Sequence, residues 1–275
     1  MKIAIGQFSA TTKTQENLET VVRMTEEAAA QGAEFVLFPE YAMFKQPVRD
    51  AEFLKTCESL DGPFASGLRA LAKRLGVYVL CGLNEKIEGE KVGYNTILIV
   101  GKDGTDLGVY RKVHLYDAFG GRESDWIRPG PTDQQVVFHI GDLDCGVMTC
   151  YDVRFPEITR QLVDQGAEVI LLPTAWTAGT RKEDHWMTLV RARAIENTAY
   201  VIGADQAPPG GTGGSVVIDP MGVVVAELGE GPGLLFAEVK PDRVRVVRER
   251  NPSLQHRRYK VVPLAKDEWI KLPTA

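Results

Sequence analysis

Cys150 is the residue best placed to do chemistry. It ends the apolar run Val147-Met148-Thr149 and precedes Tyr151-Asp152-Val153-Arg154-Phe155-Pro156-Glu157. A thiol that closes a buried strand and faces the start of a helix can be a nucleophile, because helix N–H groups stabilise a thiolate and donate to an oxyanion. The competing reading is a structural thiol, since free cysteine is among the most buried residue types. Cys57, Cys81 and Cys145 have no comparable setting and read as core.

A nucleophilic thiol needs a base and a positive group. Glu40 follows Phe35-Val36-Leu37-Phe38-Pro39, at the carboxyl end of a strand, where open α/β sheets place their sites. It can act as a base or merely cap a helix. Lys112, in Tyr110-Arg111-Lys112-Val113-His114-Leu115, can stabilise an oxyanion, with Arg111 as its competitor. Glu123, in Arg122-Glu123-Ser124, matters if its loop folds over Cys150. A Cys–His pairing must be weighed too. His139 sits in a strand pattern and reads as structural, while His114 and His185 are pocket candidates. No pair of histidines has metal-ligand spacing, so no metal is expected, and nothing calls for a cofactor.

These residues must be held by a scaffold. Residues 2–8 alternate as a strand, and a helix follows that Asn17 is expected to cap and Gly32 to close. The run 35–38 suits a strand covered on both faces. A helix starts at Pro63 and stops before Gly76. Strands at 77–83 and 94–100 flank a polar hairpin, and 105–110 is a further strand. Residues 111–131 show no periodicity, and a long loop inside a domain is usually functional. Strands at 135–139, 143–149, 169–172 and 199–204 alternate with helices at 156–165 and 182–197. Strands at 216–218, 223–227 and 234–239 finish the pattern. Such alternation mixed with hairpins predicts an α/β fold in one domain, 1–275, without a linker. The basic stretch 240–275 reads as a C-terminal arm packed at a subunit interface.

Composition narrows the classes. Hydrophobic residues make up 44% and charged residues 25% of the 275, as in soluble globular proteins. A net charge of −5 gives no footprint for nucleic acid or a membrane surface. No apolar stretch reaches transmembrane length, and residues 1–8 lack the long apolar region of a signal peptide. Four cysteines without a C-x-x-C pair fit a reducing, cytoplasmic compartment.

Phe38-Pro39-Glu40, Arg111-Lys112-Val113-His114-Leu115 and the segment from Cys150 to Glu157 resemble, in order and spacing, the three signature segments of the nitrilase, or carbon–nitrogen hydrolase, superfamily. The resemblance covers nearly the whole chain. It implies a four-layer α-β-β-α sandwich and a Glu-Lys-Cys triad. Glu40 would be the base, Lys112 the stabiliser of the tetrahedral intermediate and Cys150 the nucleophile. Glu123-Ser124, ahead of Pro129-Gly130, is similar to the family's second glutamate, which positions the lysine. The backbone N–H of Tyr151 would be a second oxyanion donor.

Tyr151-Asp152 after the cysteine looks like the Nit-type amidases (omega-amidase and deaminated-glutathione amidase), as does Pro173-Thr174-Ala175-Trp176. Thr174, Trp176 and His185 are then expected substrate contacts. The implied activity is hydrolysis of a small amide, in a homodimer or larger homo-oligomer. A nitrilase or an N-carbamoyl amidohydrolase using the same triad is the alternative.

Overall fold

Consecutive residues of the strands enter different cores. The computed structural model describes residues 1–46 and 51–265. In chain order the first half contains β1 (Lys2–Gln7), α1 (Thr14–Ala30), β2 (Phe35–Leu37), α2 (Ala51–Thr56), α3 (Pro63–Leu75), β3 (Tyr78–Lys86), β4 (Gly93–Val100) and β5 (Asp106–Arg111). The second contains β6 (Val137–Ile140), β7 (Leu143–Val147), α4 (Pro156–Asp164), β8 (Val169–Thr174), α5 (Lys182–Asn197), β9 (Tyr200–Asp205), β10 (Val216–Ile218), β11 (Val224–Glu227), β12 (Gly233–Glu238) and α6 (Pro241–Arg250). Two 3-10 turns, Glu123–Asp125 and Cys150–Arg154, lie between them.

The strands form two six-stranded mixed sheets, ordered β12-β1-β2-β3-β4-β5 and β11-β10-β9-β8-β7-β6. Side chains alternate across a strand. Ile3, Ile5, Phe35, Leu37, Ile97 and Ile99 therefore face the second sheet, in a core shared with Cys145, Val147 and Leu171. Their neighbours Ala4, Val36, Phe38, Leu98 and Val100 face outward, into a core closed by α1 and α3. Helices α4 and α5 cover the far side of the second sheet. The result is a four-layer α-β-β-α sandwich. No helix of the described residues is long and apolar enough to cross a membrane.

Four local readings change. Asn17 is not a cap, because α1 already starts at Thr14; the Asn17 side chain instead donates to Thr11 O and Met43 O, both at 2.9 Å. The strand before Cys150 ends at Val147, and the thiol heads a 3-10 turn rather than an α-helix. The polar hairpin is shorter than expected, because β3 runs on to Lys86. The arm expected over 240–275 begins with a helix, α6, that buries Val244 and Val247; residues 266–275 lie outside the described residues.

Candidate active site

Glu40 stands in the turn after β2, 1% exposed. Gly82 of β3 lies under this turn: a Cβ there would come within 2.6 Å of Pro39 O and 2.8 Å of the Glu40 Cα, so the close approach requires glycine. Gln206 Nε2 donates to the Glu40 carbonyl at 2.8 Å. Lys112 follows β5 directly, and its N–H continues the pairing with β4 by donating to Asn95 O at 2.9 Å. Glu123 comes from the long loop, in its 3-10 turn.

The three side chains meet. Lys112 Nζ lies 2.9 Å from Glu40 Oε1 and 2.9 Å from Glu123 Oε2. Asn95 Nδ2 donates to both carboxylates, at 2.6 and 3.1 Å. Tyr116 N–H and the Tyr41 hydroxyl donate to Glu123, and Ala175 N–H donates to Glu40 Oε2 at 2.8 Å. Each carboxylate is thus fixed by an ammonium and by neutral donors, as buried charges require. Burial alone would push the Lys112 ammonium down, but Glu123 and Glu40 outweigh it and hold the lysine well above its ordinary range.

Cys150 arrives from the other sheet. Its φ of 46° is left-handed, which turns the thiol out of the line of β7 at the head of the 3-10 turn. Asp152, fully buried, locks that turn. Its Oδ2 accepts Thr149 N–H at 2.9 Å and Tyr110 OH at 2.6 Å. Its Oδ1 accepts His114 N–H at 3.0 Å and lies 2.7 Å from His114 Nδ1. One carboxylate therefore ties the cysteine turn to the segment carrying Lys112. Burial and the Glu40 carboxylate push the Cys150 thiol well above the ordinary cysteine range, against the pull of Lys112 and the Ala175 N–H. The expectation that helix N–H groups lower it fails, because burial and a neighbouring anion win. The resting thiol is neutral and needs a base.

All four groups line one cavity of about 530 Å³, with Trp176, Tyr116, Phe119, Trp126 and Lys182 on its walls. Trp176 is held by Nε1 donating to Lys182 O at 2.7 Å and by its own N–H donating to Asp205 at 2.8 Å. The Tyr151 ring packs edge-on against Tyr116, centroids 5.2 Å apart, behind the lining. Thr174 and His185 are not among the lining residues. Thr174 is fully buried in β8, its hydroxyl turned to Leu172 O, and His185 lies behind Arg154, 3.4 Å from Nη2. His114 faces Asp152 and stacks on Phe155. Arg111 pairs with Glu85 instead of entering the site. Sequence reasoning missed Asn95, Tyr41, Tyr116 and Gln206, which have no local signal. Asp152 was legible only as a signature residue. Among the described residues no group of three His, Cys, Asp or Glu could hold a metal ion.

The model of the carbon–nitrogen hydrolase family matches residues 2–249. A deaminated glutathione amidase of Escherichia coli O157:H7 is 35% identical over 260 residues, covering 94% of this chain and 98% of that protein. One of Synechocystis sp. (strain PCC 6803 / GT-S) is 38% identical over 263 residues, 91% of this chain and 96% of that one. The crystal structure of Saccharomyces cerevisiae Nit3, a member of branch 10 of the nitrilase superfamily, superimposes with a TM-score of 0.83 at 29% identity, over 94% of this chain and 97% of that one.

Proposed function

The chain belongs to the carbon–nitrogen hydrolase family, and from that premise we propose that it cleaves a small carboxamide to the acid and ammonia or an amine through a thioester on Cys150. The carrying observation is one thiol, two carboxylates and one ammonium, all buried at a single cavity. Glu40 takes the thiol proton as sulfur attacks the carbonyl carbon. The carbonyl pair moves to oxygen, and the oxyanion meets Lys112 and the Tyr151 N–H. The oxyanion collapses, the C–N bond breaks, and Glu40 returns its proton to the leaving nitrogen. Water then gives a proton to Glu40 and attacks the thioester. In the second collapse the C–S bond breaks, the acid leaves, and Glu40 returns the proton to sulfur, which restores the thiol. Glu123 keeps Lys112 aimed at the reacting oxygen.

The substrate class favoured is an ω-amide of a dicarboxylic or keto acid, or deaminated glutathione. It follows the names of the relatives and the Tyr151-Asp152 pair. Intact-protein mass spectrometry after mixing with candidate amides tests the reading. An acyl mass on Cys150 is expected, absent in Cys150→Ala and also in Glu40→Gln, which lacks the base that takes the thiol proton. Turnover by the parent with no acyl mass in rapidly quenched samples would sink the thioester route.

The wider reading is a single domain, acting in the cytoplasm as a homodimer. The free cysteines fit that compartment. Beyond α6 the arm is anchored by Arg257 to Asp164 and presents Tyr259, Val262 and Leu264 to solvent, apolar side chains that a second subunit would cover. A sedimentation profile of monomer alone at micromolar concentration would remove the dimer.

A further inference from the structure

Lys182 opens α5 and ends in the cavity, yet it is only 4% exposed. Its ammonium lies 4.6 Å from the ring centre of Phe119, 4.8 Å from Trp176 and 5.0 Å from Tyr116, and donates to the Tyr116 hydroxyl at 3.2 Å. Aromatic faces attract a cation but do not neutralise it. Among the described residues no carboxylate pairs with Lys182, in contrast to Lys112, which has two.

A second cation stands beside it. The Arg154 guanidinium lies over the same walls, 5.1 Å from the Trp176 ring centre and 5.8 Å from Phe119, and its Nε is buried without a partner. Burial and Arg154 together push the Lys182 ammonium below its ordinary range. Two like charges held this close, Lys182 buried and Arg154 half-buried, are costly unless something anionic arrives. A carboxylate placed there would lie close to both cations, and their pull strengthens as it displaces water from the corner. Lys182 and Cys150 line the same cavity, so one small molecule can reach both.

We infer that Lys182, backed by Arg154, is the recognition cation for a carboxylate on the acyl half of the substrate. The cavity then takes mono-amides of short dicarboxylic acids ahead of neutral amides of the same length. The inference rests on the amidase reading and adds to it the group that selects the substrate.

The test compares the mono-amide of glutaric acid with pentanamide, its neutral analogue of equal chain length. In Lys182→Met the ratio of kcat/KM for the acidic over the neutral amide should fall by about tenfold to a hundredfold, mostly through KM. Lys182→Arg should recover part of that ratio. A ratio unchanged in Lys182→Met, with both amides slowed alike, makes the lysine a prop for the loop of Tyr116 and Phe119 and overturns the inference. A parent enzyme that hydrolyses pentanamide but not the acidic amide overturns it while leaving the amidase reading intact. A parent that hydrolyses neither, with no acyl mass on Cys150, ends both.

Discussion

Taking away the Lys112 ammonium would leave Glu40 and Glu123 facing each other with no cation between them. Lys112→Met is therefore expected to act twice. Loss of an oxyanion donor should lower kcat by roughly a hundredfold to a thousandfold. Loss of the counter-charge should cost stability on the order of 3–5 kcal/mol, read from urea unfolding. Near-normal turnover would remove the lysine from the mechanism. The lysine, both glutamates and the cysteine were legible through the order and spacing of the segments that carry them; taken alone, Lys112 competed with Arg111 and Glu123 read as a loop charge. Asn95 and Gln206 were not. Asn95 reaches Glu40 from 55 positions away and Gln206 from 166, and nothing next to either in the chain announces that approach.

The cysteine turn and the segment after β5 are separate elements hydrogen-bonded to each other through one carboxylate. Asp152 uses two oxygens to hold Thr149 and Tyr110 on one side and the two His114 nitrogens on the other. An amide in its place has one acceptor oxygen. Asp152→Asn should lose the bonds of one oxygen, costing about 2–3 kcal/mol, and should lower kcat more than it raises KM. Paired urea unfolding and steady-state kinetics read both effects, and an unchanged kcat would mean that the two elements hold their places independently. At this scale the helix α6 escaped the sequence reading. It buries only Val244 and Val247 in a run otherwise rich in arginine, too thin a stripe to register as a helical face. Helix α3 gave a clear signal, with proline at its start and glycine just past its end, whereas α5, which buries Trp186, Val190 and Ala194, has no strong apolar face.

Over the whole molecule, the alternation of strands with helices made an α/β fold legible, while the four layers followed only from the family resemblance; the sandwich itself sends Ile3 and Ile5 one way and Ala4 the other. Stability as a whole should carry the mark of Asp205. This carboxyl, at the end of β9, accepts Trp176 N–H and both donors of Thr212, yet burial pushes it up from 3.8 to about 7. The folded chain then binds a proton between those values that the unfolded chain has released. Stability should fall as pH rises from about 4 to about 7 and level off above. Urea midpoints across that range read the slope, and Asp205→Asn should flatten it; an equal slope in the variant would assign the dependence elsewhere. The site itself is split between the layers. Glu40, Lys112 and Glu123 hang from the first sheet, whereas Cys150 and Ala175 hang from the second. Such a division works as a safety catch. While the sheets are apart, during synthesis or a local opening, the thiol has no base within reach. Once they close, it is 7% exposed and shielded from solvent. The sulfur is armed when a molecule with an electrophilic carbonyl occupies the cavity and Glu40 can take the proton.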